Sequence, residues 1–205
     1  MVKKYIILFM VVFFLSACAH GPVYTAKNES DAIKKNYHNS RLQAIYNQNQ
    51  GLLSELYTRF TASRIDIYRE GLGFTDFTNQ KDEKMYYLMV KVRPQEITYK
   101  EKTSNSDQRF SEALQTYAPK YLKYLKNSDL NRQSIDGITF GVYWAVRDVC
   151  DTYGGFIEYV EFYIPKQFIN EFLDGKITFQ EMLLDTEVLT SLDKRHPTNV
   201  KPVFK

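Results

Sequence analysis

Ile138-Thr139-Phe140-Gly141-Val142-Tyr143-Trp144-Ala145-Val146-Arg147 is the stretch on which the fold turns. Ile138, Phe140, Val142, Trp144 and Val146 fall on one side of an extended chain, and that side is wholly apolar. Thr139, Gly141, Tyr143, Ala145 and Arg147 fall on the other. A period of two over ten residues is a strand with one face in a core. Asp151 to Gly155 has turn composition, and Phe156 to Ile164 alternates again, so the two runs form a hairpin. Pro165 then suits the first position of a helix carrying Phe168, Ile169 and Phe172, with Gly175 as its stop. Thr178 and Glu181 have the spacing of a capping box for another helix around Met182 and Leu183.

Working outward, the same grammar recurs upstream. In Met85 to Arg93, Tyr86, Leu88, Val90 and Val92 oppose Met85, Tyr87, Met89, Lys91 and Arg93. Ile65, Ile67, Leu72, Phe74 and Phe77 supply the preceding strand, joined through the polar turn Asn79 to Lys84, with the alternative that the first helix runs on to Gly71 as its stop. Pro94 interrupts pairing, and Ile97 and Tyr99 extend the strand past a bulge. Asp107 to Lys126 reads as a helix with Phe110, Leu114, Tyr117, Tyr121 and Leu125 on one face, and Pro119 kinks it or starts a second piece. Near the start, Ile33, Tyr37, Ile45, Leu52, Leu56 and Phe60 make the stripe of one long amphipathic helix, N-capped by Ser30 and bent or broken at Gly51. The expectation is an α+β domain over residues 31–190. It has an antiparallel sheet of about four strands, a long N-terminal helix and further helices packed on the sheet, in an order that admits two ββα units. Residues 191–205, with Pro197 and Pro202, read as an extended C-terminal tail.

The composition agrees with one such domain. The chain has 205 residues, of which 44% are hydrophobic and 25% charged, which excludes wholesale disorder and a membrane-embedded body. A core of this size buries roughly 70% of the unfolded surface without metals or disulfides. The formal charge of +3 falls to +1 without Lys3 and Lys4, so there is no electrostatic footprint for nucleic acid. Two cysteines exclude a disulfide framework. The unusual feature is aromatic content: 16 Tyr, 14 Phe and 1 Trp.

The first eighteen residues carry an address. Met1-Val2-Lys3-Lys4 is a short basic start, and Tyr5 to Leu15 is a run without charge, Gly or Pro, too short for a permanent span of about 20 residues. Leu15-Ser16-Ala17-Cys18 follows and resembles the lipobox of bacterial lipoproteins. That resemblance implies a signal peptide over residues 1–17, diacylglyceryl transfer to the Cys18 thiol, cleavage before Cys18, and usually a third acyl chain on its amine. Two or more chains make release from a bilayer negligible. By the same resemblance, Ala19 in place of Asp favours the outer membrane, or the cell membrane where only one membrane exists. Residues 18–30 would then be the lipidated cysteine and a Gly- and Pro-bearing tether.

Chemistry-bearing residues are sparse. His20, His38 and His196 form no pair at ligand spacing, and HExxH and CxxC are absent, so no metal and no cofactor is expected. Cys150 closes a strand and reads as an inert half-buried thiol. There is no GxSxG. Glu158 and Glu161, three apart on a strand, face opposite sides and cannot form an acid pair, while Asp148 and Asp151 flank a turn where Asp bonds its own backbone. Lys120, Lys123 and Lys126, interleaved with Tyr121 and Tyr124, read as cations offsetting a helix C-terminus, with a lipid-facing surface as the alternative. The stronger candidate is the face opposite Trp144. Tyr87, Tyr143, Tyr159 and Tyr163 share it with Met89, Arg147 and Glu161, and it is either an open contact surface or core under the first helix. The expected function is a non-catalytic, lipid-anchored binding or assembly accessory protein of the periplasm, partnered by the membrane through Cys18 and by an envelope protein. The alternatives are a lipoprotein binding a small ligand, a cell-wall glycan or peptide, and, third, an envelope hydrolase.

Overall fold

The computed structural model describes residues 25–78, 82–94, 97–100, 103–146, 156–191 and 198–200. Three helical pieces, α1 (Glu29–Ala32), α2 (Ser40–Gln48) and α3 (Gln50–Ala62), precede a hairpin of β1 (Ile67–Thr78) and β2 (Lys84–Val92). The short strand β3 (Thr98–Tyr99) leads to α4 (Ser106–Glu112), a π-helical turn (Ala113–Tyr117), α5 (Ala118–Leu122) and α6 (Asn127–Leu130). A second hairpin, β4 (Gly137–Val146) and β5 (Phe156–Pro165), is followed by α7 (Lys166–Leu173), α8 (Phe179–Leu184), β6 (Glu187–Thr190) and β7 (Thr198–Val200).

Among the described residues the result is a mixed α/β fold with a seven-stranded sheet rather than about four strands. Six strands lie in the order β1-β2-β4-β5-β6-β7, and β3 pairs onto β4. The sheet is not purely antiparallel: β2 and β3 both run parallel to β4. The physical reason is the connection. The helices over 106–130 carry the chain back across one face, so β4 starts beside the start of β2, as in any strand-helix-strand crossover. β3 continues the line of β2 beyond Pro94, with Thr98 and Tyr99 against Ala145 and Val146. β7 falls in the stretch read as a C-terminal tail and pairs with β6.

The long N-terminal helix is three pieces because asparagines end and start them. Asn28, not Ser30, caps α1 by accepting from the Asp31 amide at 3.0 Å. Asn39 caps α2 by accepting from Arg41 N at 2.9 Å. Asn49 Nδ2 turns back onto the Ile45 carbonyl at 2.8 Å and closes α2, so the break falls there, while Gly51 sits inside α3. The predicted stripe still buries Ile45, Leu52, Leu56 and Phe60. Ile33 and Tyr37 fit the helical spacing but do another job. Lys34 N donates to Leu72 O at 2.8 Å, and the Tyr37 hydroxyl accepts from Phe74 N at 2.9 Å. This segment therefore satisfies the outer edge of β1, which would otherwise be open to pairing with another chain. Burial raises the Tyr37 phenol to about 12.

Pro119 starts a second helical piece. It has no N–H for the carbonyl four residues back and its ring crowds that carbonyl. The helix widens just before it, so that Ala118 N bonds Ala113 O at π spacing. The Thr178–Glu181 capping box forms as expected.

One apolar cluster fills the space between the helices and the even-numbered face of β4. It contains Leu53, Leu56 and Phe60 of α3, Leu114, Tyr121 and Leu122 of the crossover, Ile169 of α7, and Ile138, Phe140, Val142, Trp144 and Val146. Trp144 is 1% exposed, as the alternation required.

Candidate functional site

The odd-numbered face of β4 carries the tyrosines. Register places Tyr143 opposite Tyr159, Thr139 opposite Tyr163, and Tyr87 opposite Gly137, so Tyr87, Tyr143, Tyr159 and Tyr163 do share one side of the sheet. The buried side chains of α2 and α3 belong to the cluster on the Trp144 side, whereas Tyr87, Met89, Tyr143 and Ala145 are buried outside it. Among the described residues, then, α2 and α3 lie on the Trp144 side, while the segment between α1 and α2 reaches the tyrosine side at the β1 edge, where a Cβ on Gly73 would strike the Tyr37 hydroxyl and lie 3.1 Å from Lys34 Cβ.

The rings cover it themselves, in two groups. Tyr143 stands between Tyr68, with ring centres 4.4 Å apart, and Tyr159, stacked at 5.1 Å with 23° between the ring planes. Farther along the strands, Phe77 reaches Tyr163 at 4.6 Å, and Tyr87 meets both edge-on at 6.2 and 6.1 Å. Glycines provide the room. A Cβ on Gly137 would strike the Tyr87 ring, and one on Gly141 would lie 2.8 Å from Tyr143 Cε2. Between the groups, Lys91 Nζ lies 2.6 Å from Glu161 Oε1 and 5.6 Å from the centre of the Tyr143 ring, and the Tyr143 hydroxyl donates to the same carboxylate oxygen. Tyr87, Met89, Tyr143 and Glu161 are buried, and what solvent reaches is the half-buried rim of Tyr68, Phe77, Tyr159, Tyr163 and Lys91. Such a surface suits half-wet contact, because tyrosine buries a ring and still hydrogen-bonds.

Burial, with Glu161 adding to it, raises the phenols of Tyr143, Tyr159 and Tyr163, and burial with Asp136 and Glu187 raises that of Tyr87. The sign follows from linkage. A folded value above the unfolded one stabilises the fold fully below the unfolded value of about 10, and that contribution is lost as pH rises through the folded values. Phenolate absorbance during an alkaline titration is therefore expected to rise in two phases, the second coinciding with loss of far-ultraviolet dichroism. A single phase with the fold intact would show that the face is open to water and its rings unconstrained.

A second charged cluster lies on the opposite, helix-covered side. Arg109 of α4 and Glu158 of β5 are 2% and 1% exposed, and pair through Nε–Oε2 at 2.7 Å and Nη2–Oε1 at 2.8 Å. Trp144 Nε1 donates to Glu158 Oε2 at 2.8 Å, and Ser106 Oγ to Oε1 at 2.7 Å. Glu158 and Glu161 therefore lie on opposite faces, each held by its own cation, as their spacing required. Sequence reasoning missed Arg109. Its signal was indirect: Glu158 occupies an apolar-face position, and a carboxylate there must be paired.

His38 is exposed, as are Lys120, Lys123 and Lys126, while Tyr121 is buried beneath them. Cys18, His20, Arg147, Asp148, Cys150, Asp151 and His196 lie outside the described residues. Among the described residues, no group of three or more His, Cys, Asp or Glu side chains is placed to hold a metal ion, and no helix is long and apolar enough to cross a membrane. The chain matches no protein-family model, no curated protein sequence and no solved structure.

Proposed function

We propose that the protein is a lipid-anchored lipoprotein of the cell envelope, held at the outer membrane through Cys18 and facing the periplasm, that works by binding rather than catalysis. The tyrosine face is its contact surface. The observation that carries this reading is the sheet's asymmetry. The described helices cover one face, while the other ends in tyrosines around the Lys91–Glu161 pair. Arg109 and Glu158 support it by exclusion. With Asp129, which Arg59 holds, they are the most deeply buried charges among the described residues, and they hold one another and Trp144 inside the core.

Metabolic labelling with palmitate tests the anchor. The native chain is expected to incorporate label, and Cys18→Ser to lose it entirely; undiminished labelling of Cys18→Ser would refute the lipoprotein reading. Trp144 faces away from the tyrosines, so its emission is a poor reporter for this face. Cross-linking from position 159 is the better assay, expected to yield a defined product that Lys91→Ala weakens.

A further inference from the structure

We propose that the tyrosine face rests on the headgroup layer of the same membrane that holds the chain, so that the domain lies face-down on its bilayer. This rests on the reading that Cys18 is acylated, and names the partner of the face described above.

The first support is length. Seven peptide steps separate Cys18 from Thr25, where the chain joins the sheet. Fully extended, they reach about 25 Å. The ten residues of β4 span about 33 Å. The link is thus shorter than the sheet it carries, because residues 25–32, expected to lie in or just beyond a free tether, are docked: Ala26 N donates to Ile67 O at 2.9 Å, and Glu29–Ala32 is helical. Thr25 and whatever surrounds it are therefore kept within about 25 Å of an acylated Cys18.

The second support is what surrounds it. Thr25 pairs with Tyr68, and its hydroxyl accepts from Arg93 Nη1 at 2.9 Å. Tyr68 is the outer member of the Tyr68–Tyr143–Tyr159 stack, so the link is rooted at the rim of the tyrosine face.

The third is chemistry. Tyrosine is the side chain of membrane interfaces, with an apolar ring and a wet hydroxyl. Glu161, at the centre of the face, is neutralised by Lys91, and Arg93 stands at the tether rim, whereas Glu187 lies opposite Tyr163 at the far end. The one large hydrophobic that is exposed among the described residues, Leu184, belongs to α8 on the helix side. Contact is therefore at headgroup depth, without insertion into hydrocarbon.

The test uses the full-length acylated chain on vesicles of phosphatidylethanolamine and phosphatidylglycerol. A fluorophore is placed at Tyr159→Cys or, as the helix-side control, Leu184→Cys, both in a Cys150→Ser background with unchanged dichroism. The Tyr159 site is expected to be quenched several-fold more by a headgroup-attached quencher than the Leu184 site, and less by iodide. Lengthening the Cys18–Thr25 link fourfold with Gly and Ser lowers the local concentration, and with it this difference, about eightfold. Equal quenching at the two sites on floated vesicles overturns the proposal and leaves the anchor standing. Protection of Tyr159 that needs added envelope protein or muropeptide also overturns it, in favour of a protein or glycan occupant. A wild-type chain that fails to float, like Cys18→Ser, overturns both readings.

Discussion

Arg109→Ala is expected to lower the stability of the domain by about 3 to 5 kcal/mol, the usual cost of removing one partner from a buried ion pair. For a chain of this length, that is a fall of roughly 6 to 20 °C in the thermal midpoint. Glu158 would keep its bonds from Trp144 and Ser106 but lose both charge-assisted bonds from the guanidinium. A carboxylate 1% exposed has no water to replace them. The pair is also a clamp, since it ties α4, the first helix of the crossover, to β5, the strand next to β4. The double variant Arg109→Met/Glu158→Met separates the cost of an orphaned charge from the worth of the pair. It is expected about 1 to 2 kcal/mol below wild type, because apolar side chains of similar volume often replace buried ion pairs without loss, while the buried Trp144 indole N–H loses its acceptor. A double variant as unstable as Arg109→Ala would mean that the clamp itself holds the crossover, and that the orphan-charge account is wrong. Urea midpoints at constant slope provide the measurement.

The same cluster shows where sequence stops being informative. Alternation in Phe156 to Ile164 told which residues face which side, and Glu158 and Glu161 do part company across the sheet. It could not tell that an arginine on a polar-looking helix turn, one position before the apolar Phe110, would reach back to meet Glu158. Pairing between elements depends on the packing of the crossover, which no local period records. Strand orientation escaped for a related reason. Each hairpin was visible in its own turn and alternation, but which strands of the two hairpins become neighbours is decided by the helices between them, and β2 beside β4 is parallel. The first helix failed differently. Its apolar spacing was right, and its interruptions were written in Asn28, Asn39 and Asn49, residues whose side chains compete with helix for backbone partners. The shared side of Tyr87, Tyr143, Tyr159 and Tyr163 was legible from alternation, but Tyr68 and Phe77, which join them, were not. Nor was the partition of that side into two aromatic groups around Lys91 and Glu161, because it depends on ring directions above Gly137 and Gly141.

Those two glycines yield the second large effect, and they separate cleanly. At Gly137 an added methyl would meet the backbone carbonyl of Ile164 as well as the Tyr87 ring. A carbonyl in the ladder between β4 and β5 cannot rotate away, so the strands must part where β2, β4 and β5 lie side by side. Overpacking of this kind costs about 1 to 3 kcal/mol, and a backbone obstacle belongs at the upper end. Gly137→Ala is therefore expected to lose about 2 to 3 kcal/mol, or roughly 4 to 12 °C. At Gly141 the nearest obstacle is the far end of the Tyr143 ring, with Glu161 Cγ at 3.3 Å and Lys91 Cγ at 3.4 Å. A ring turns about two bonds, and alanine also narrows the unfolded ensemble, which returns about 0.4 to 1 kcal/mol. Gly141→Ala should stay within about 1 kcal/mol of wild type while tilting Tyr143 out of its stack and weakening its bond to Glu161. The readout is near-ultraviolet dichroism from the coupled tyrosines, reduced in Gly141→Ala at nearly unchanged thermal midpoint. Equal destabilisation by the two substitutions would show that the rings are wedged as tightly as backbone, making the tyrosine side a second core rather than a surface for contact.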